Sequence, residues 1–201
     1  RDVVVGDNGH ADFDAAGNLS LIYTTVPGTG DDDAILVGGG DNVAFGGVGN
    51  DTITASNGND ILVGDNGSAA FHATSHTLSR VQTTDPTLGG IDTIVASTGN
   101  NVVIGGTAGD AITTGTGDDI ALGDSGYVDY VINDQSPADI DVIASTDFDI
   151  GGVDAINTGA GSDLVIGGAA GDLIDAGVGN NLVFGDSAKI TAALADAPNF
   201  G

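Results

Sequence analysis

An aspartate or asparagine recurs every nine residues, four times in succession, in three separate stretches of this chain. The first stretch carries Asp33, Asn42, Asp51 and Asp60, the second Asp92, Asn101, Asp110 and Asp119, and the third Asp154, Asp163, Asp172 and Asn181. Two residues after each stands a small or branched apolar side chain: Ile35, Ala44, Ile53, Leu62; Ile94, Val103, Ile112, Ala121; Ile156, Val165, Ile174, Val183. Twelve matches to one nine-residue template define a repeat architecture and exclude an ordinary globular fold. Each unit reads as a strand of about three residues followed by a Gly-rich turn, since glycine supplies the positive-φ conformations that other residues resist. One unit cannot bury its apolar residue alone, but a stack of units can. The expectation is an all-β, parallel β-roll or β-solenoid. Helices are excluded by the glycines that interrupt every helical period.

The nonapeptides are nested in a longer block. Gly-Asp pairs at 6–7, 64–65, 123–124 and 185–186 each close an apolar run, at spacings of 58, 59 and 62 residues. The chain therefore divides into blocks 28–67, 87–126 and 149–188, separated by inserts 8–27, 68–86 and 127–148, with 189–201 beginning another insert. It is read as one continuous solenoid, and as a segment of a longer protein, because Asp2 and Val4 already sit at the end of a repeat. The inserts alternate apolar and polar residues around turn signals, as at 10–14, 19–23 and 127–131. Each insert would form either a wider third coil or a hairpin folded over the roll.

With two nonapeptides per coil, odd units build one sheet and even units the other, and the residues flanking each buried position point outwards. On the odd sheet these are mostly polar or small, such as Thr52, Thr54, Ala111, Thr113, Ala155 and Asn157. On the even sheet they are apolar throughout: Val43, Phe45, Ile61, Val63, Val102, Ile104, Ile120, Leu122, Leu164, Ile166, Leu182 and Phe184. An apolar stripe of that length needs a cover. Either the inserts bury it, the preferred expectation, or another chain does, by self-association.

Composition narrows the function. Acidic residues number 29 against three basic ones, a net charge of −26, so nucleic acid and anionic membrane surfaces are excluded as partners. A compact fold carrying this charge repels itself unless cations neutralise it, and its aspartates lie in turns, where bound divalent ions would do so. Cysteine is absent, so there are neither disulfides nor thiolate metal sites, and no apolar run is long enough to span a bilayer as a helix. Other motifs dissolve into the repeat. Gly-Asp-Ser-Gly at 123–126 resembles a protease nucleophile segment, but the equivalent positions of other blocks hold Asn8, Asn66 and Ser187, so it is a turn. His72 and His76 have a zinc-like spacing without a third ligand, and Thr52 and Thr54 form an isolated T-x-T rather than an ice-binding array. No catalytic constellation emerges, and the chain is read as non-enzymatic.

At this point the repeats resemble the repeats-in-toxin (RTX, hemolysin-type) family of calcium-binding nonapeptides, G-G-x-G-x-D-x-U-x. Residues 46–54 match that pattern at every position. The resemblance implies several Ca²⁺ ions, hard cations that take six to eight oxygen ligands, held between turns one coil apart on both edges of a parallel β-roll. Carried over, Asp33 would pair with Asp51, Asp92 with Asp110 and Asp154 with Asp172 on one edge. The other edge would pair Asn42 with Asp60, Asn101 with Asp119 and Asp163 with Asn181, and Asp2 would belong to a weaker site. Three departures stand out. All three asparagines lie on the second edge and weaken it as an anionic site. Turns 105–110 and 167–172 carry alanine in place of the third glycine, and the turn before Asp33 shifts its glycines by one position. Stronger binding on the all-Asp edge, and incomplete occupancy of the other, is expected.

The resemblance further implies secretion, of the type I kind, to the extracellular space or cell surface. The expected role is structural: a stiff spacer in an adhesin, or a building block of an extracellular filament or layer. The alternative is a calcium-triggered folding and secretion module of an exported RTX hydrolase or toxin.

Overall fold

The computed structural model describes residues 1–132, 136, 137 and 139–191, so residues 192–201 of the last insert lie outside the described residues. Strands Ala34–Leu36, Thr52–Thr54, Thr93–Val95, Ala111–Thr113, Ala155–Asn157 and Leu173–Asp175 stack in that order into a parallel odd sheet. Strands Val3–Val5, Val43–Phe45, Ile61–Val63, Val102–Gly106, Ile120–Asp124, Leu164–Gly168 and Leu182–Asp186 stack into a parallel even sheet. The register is set by the repeat. Ile35, Ile53, Ile94, Ile112, Ile156 and Ile174 form one column, and Val4, Ala44, Leu62, Val103, Ala121, Val165 and Val183 the facing one. These two columns meet in a narrow inner core. Most of these residues are under 10 % exposed, and each fully buried Ile or Leu contributes roughly 1.5–3 kcal/mol. Among the described residues no helix occurs, as the glycine spacing requires.

The inserts do not widen the coils. They leave the roll after alternate even strands as antiparallel hairpins, Gly9–Phe13 with Leu19–Thr24, Gly67–Phe71 with Leu78–Thr83, and Gly126–Asp129 with Val142–Ser145. Successive hairpins pair with one another, and Lys189–Thr191 continues the series, giving a seven-stranded antiparallel third sheet. Its inward column of Ile22, Ala69, Val81, Val128 and Ile143 packs directly on the flanking residues of the even sheet. The even sheet is thus the middle of three layers, with an apolar core on each face.

This arrangement decides between the alternatives left open for the inserts. A wider third coil is not formed, because the inserts fold back as antiparallel hairpins, the first at a tight turn where Asp14 Oδ1 accepts the amides of Ala16 and Asn18. Nor is the even face open for self-association: Val43, Phe45, Val63 and Ile104 are fully buried, and Ile61, Val102, Ile120, Leu122, Leu164 and Ile166 nearly so. Leu182 and Phe184 belong to the last described coil, where Phe184 remains 38 % exposed.

The alanine substitutions in the turns are accommodated under strain. Ala108 and Ala170 adopt φ of 73° and 70°, a left-handed conformation that costs a non-glycine residue roughly 1–2 kcal/mol.

Candidate metal site along the roll edges

Each coil crosses from the even to the odd sheet along a first edge and returns along a second. Every turn on both edges ends in the Asx residue of the nine-residue period, immediately before its strand. On the first edge the backbone N–H of Asp33 donates to Asp51 Oδ1 at 2.7 Å, Asp51 to Asp92 at 2.7 Å, Asp92 to Asp110 at 2.8 Å, Asp110 to Asp154 at 2.7 Å and Asp154 to Asp172 at 3.0 Å. The aspartates therefore form one unbroken file rather than three separate pairs. The inserts lengthen the sequence step from 18 residues to 41 or 44 without interrupting it. That continuity was not legible in the repeat spacing, because it depends on the hairpin returning the chain to the coil it left.

This ladder consumes one oxygen of each carboxylate and leaves the other unpaired. Oδ2 of Asp51, Asp92, Asp110, Asp154 and Asp172 is buried without a hydrogen-bond donor. The location of these oxygens explains the glycine that opens each first-edge turn. A Cβ built on Gly46 would lie 2.4 Å from Asp51 Oδ2 and 2.1 Å from the Gly64 carbonyl oxygen of the next coil. The same convergence recurs in six consecutive coils, at Gly6, Gly46, Gly64, Gly105, Gly123 and Gly167, facing Asp33, Asp51, Asp92, Asp110, Asp154 and Asp172. Only glycine lets a carboxylate oxygen and a carbonyl oxygen approach there. Two oxygen lone pairs brought together without a proton donor repel each other, and a hard cation with oxygen ligands relieves that repulsion. Among the described residues no three acidic or histidine side chains gather into a self-contained cage, so backbone carbonyls must complete any ion site.

The electrostatics agree. Burial pushes Asp110 up to about 10, with the charges of Asp92 and Asp154 on either side adding to the effect. Asp92 is raised to about 8, Asp154 to about 7 and Asp51 to about 6, in each case chiefly by burial. The middle of the file is the most perturbed, as expected where like charges flank a group on both sides.

The second edge carries Asp2, Asn42, Asp60, Asn101, Asp119, Asp163 and Asn181 in an equivalent ladder, each backbone N–H donating to the next side chain's Oδ1 at 2.8–3.0 Å. Asp60 and Asp119 are raised, again chiefly by burial. Beside this inner ladder runs an exposed outer one through Asp41, Asn59, Asn100, Asp118 and Ser162.

A second class of carboxylate went unassigned in the sequence. Asp7, Asp65 and Asp124 follow the glycine at which each hairpin departs, and they clamp the base of the insert. Asp65 accepts the amide of Gly90 on the returning chain at 2.9 Å and that of Thr107 on the next coil. Asp7 does the same for Asp31 and Val48, and Asp124 for Gly152 and Ala169. Their regular spacing was the available signal, but spacing marks a block boundary without revealing what the carboxylate touches. Both oxygens of these clamps are used, which separates them from the file above. Replacing Asp65 by alanine strands two amides, and a loss of roughly 2 kcal/mol is expected in urea unfolding at saturating calcium. No shift of the urea midpoint would refute the clamp.

The remaining motifs find structural roles. Ser125 is buried in a turn whose carbonyl accepts the Thr146 amide. His72 Nδ1 accepts the amides of Thr74 and Ser75, whereas His76 lies against Asp14 and Asn18 of the neighbouring hairpin.

A parallel roll whose turns align carboxylates with backbone carbonyls, coil after coil, is the architecture of a calcium-binding repeat protein. Residues 36–68, 87–126 and 150–187 match the RTX calcium-binding nonapeptide repeat (4 copies), together more than half of the sequence, and the chain belongs to that family. Its cofactor is calcium, several ions per repeat domain. No curated protein and no solved structure matches the chain.

Proposed function

We propose that this chain is a calcium-stabilised, load-bearing spacer within a large secreted surface protein, without catalytic activity of its own. Asp33, Asp51, Asp92, Asp110, Asp154 and Asp172, with the carbonyls of the glycines facing them, would hold the ions. Bound there, calcium supplies the positive charge that a file of buried carboxylates lacks. The observation that carries this reading is the continuity of that file through the inserts: a rod stiffened along its whole length. The hairpin sheet favours a spacer over a filament subunit, since it buries the apolar face that would otherwise drive polymerisation. Regular insertion every sixty residues or so also favours a spacer over the export module of a hydrolase, for which an uninterrupted run of nonapeptides would suffice.

Secretion follows the same physics. At low cytoplasmic calcium the −26 chain stays unfolded and transportable, and at higher external calcium it folds. Each site filled to a hundred times its Kd adds about 2.7 kcal/mol, so a few sites supply as much as the roughly 5–15 kcal/mol that stabilises an ordinary domain. Small-angle scattering combined with circular dichroism tests this reading. With millimolar calcium a monomeric rod with β signal is expected, and with excess chelator at pH 7 an expanded coil. An unchanged rod in chelator would sink the proposal.

A further inference from the structure

The six first-edge cradles are of two kinds. In three of them, at Gly46, Gly105 and Gly167, the glycine and the aspartate it faces (Asp51, Asp110 and Asp172) belong to one turn and are five residues apart. In the other three, at Gly6, Gly64 and Gly123, an insert intervenes, and the facing Asp33, Asp92 and Asp154 lie 27, 28 and 31 residues further on. The carbonyl oxygen that completes each of these divided cradles, from Gly46, Gly105 or Gly167, belongs to the following coil. A short turn holds its own ends together. A divided cradle has to be assembled from separate pieces, at an entropic cost that grows with the length of chain between them.

The residue after the cradle glycine tracks this difference. Where the turn is intact it is a second glycine, Gly47, Gly106 or Gly168, and where an insert departs it is a clamp, Asp7, Asp65 or Asp124. Each clamp grips its cradle from both sides. Asp65 adjoins Gly64; its Oδ1 accepts the amide of Gly90, two residues before Asp92, and its Oδ2 that of Thr107, two residues after Gly105. The same offsets recur at Asp124, through Gly152 and Ala169, and at Asp7, through Asp31 and Val48. Glycines make room for every clamp. A Cβ on Gly89 or Gly106 would collide with the Asp65 carboxylate, one on Gly151 or Gly168 with that of Asp124, and one on Gly30 or Gly47 with that of Asp7.

We infer that Asp7, Asp65 and Asp124 are positioning residues for calcium at the three divided cradles, taking the place of the covalent turn that each insert interrupts. The inference rests on the proposal that the first-edge aspartates hold calcium. Each clamp oxygen is engaged by an amide, so the carboxylate acts on the ion through its neighbours, by fixing where Asp92 Oδ2 and the Gly105 carbonyl stand. Partners of this outer kind govern metal affinity by roughly 10- to 100-fold. The coupling is reciprocal. An ion between Gly64 and Asp92 in turn holds the hairpin of residues 68–86 onto the roll, which ties the inserts to the calcium-bound state.

Calcium bound per chain, measured at a series of buffered free-calcium concentrations, tests this at Asp65. In Asp65→Ala one ion should bind roughly 10- to 100-fold more weakly than in the wild type, while the others keep their affinity. A double-mutant comparison separates positioning from a general loss of stability. Added to Asp92→Asn, which alters the ligand of the same cradle, Asp65→Ala should weaken no further ion. Added to Asp172→Asn, which alters an intact-turn cradle, it should still weaken one. Wild-type affinity for every ion in Asp65→Ala, or an equal loss in both backgrounds, would overturn the inference and leave the calcium reading intact. A wild type that binds no calcium would overturn both. Should Asp65→Ala fail to fold, Asp65→Asn, which keeps one acceptor oxygen, is titrated in its place. Failure of both to fold at saturating calcium would also overturn the inference, because it confines the effect to one cradle of the six.

Discussion

Freed of calcium, the chain is expected to fold in mild acid and to unfold as the pH is raised to neutrality and beyond. Asp51 and Asp124 are lifted by burial to about 6, Asp65 and Asp154 to about 7, Asp92 to about 8 and Asp110 to about 10, from an ordinary value near 3.8. A group raised in the folded state binds its proton more tightly there than in the unfolded chain. Its contribution to stability is therefore complete below about pH 3.8 and is lost as the pH rises through each folded value, from about 6 to about 10. This direction is opposite to that of the salt-bridged carboxylates that dominate ordinary acid denaturation. Protons and calcium act at the same oxygens, so added calcium should flatten the profile at neutral pH. Circular dichroism in chelator from pH 5 to pH 9 checks this, at low protein concentration because the net charge vanishes near the pI of about 4.1. A β signal that grew with pH in chelator would contradict the account.

The second large effect is expected from making the first edge imitate the other. Asp51, Asp92, Asp110 and Asp154 each use Oδ1 for the ladder and hold Oδ2 buried and unpaired. Changing all four to asparagine preserves the acceptor, removes four buried ionisable carboxyls and gives each former Oδ2 position a donor facing a glycine carbonyl. An amide is far cheaper to bury than an ionised carboxylate, and the new donor meets an acceptor. The quadruple variant should therefore fold in chelator at pH 7, where the wild type is expected to remain unfolded, and should lose most of its response to calcium. Measured by thermal unfolding with and without calcium, the wild type should show a large difference and the variant a small one. A variant that still needed calcium to fold would show that the file is not where the ions act.

Much of this was legible in the sequence because the roll is built from local rules. Nine residues suffice to specify one strand and one turn, and the Asp-x-Ile pattern at Asp51 and Ile53 repeats the instruction with every unit. The assignment of Phe45 and Ile104 to an outward apolar face was equally local, since alternate residues of a strand point to opposite sides. The clamps were not legible. Asp65 and Asp124 are distinguished from other turn aspartates by the amides of Gly90 and Thr107 and of Gly152 and Ala169, between 25 and 45 residues away.

What the sequence by itself determined is the parallel roll, its register, its thin isoleucine core and its dependence on calcium, all consequences of a short period in which neighbours along the chain become neighbours in the stack. Three features were decided only by the tertiary structure. The inserts close into hairpins whose pairing with one another buries the even face, because strands with a polar and an apolar side find in that sheet both a partner and a cover. The aspartate file runs unbroken through them, because each hairpin delivers the chain back to the next coil in register. The two edges are unequal, because the residue that opens each turn is glycine on the first edge and Val37, Ala55, Ala96, Thr114, Thr158 or Ala176 on the second, so oxygens or a side chain fill the same space.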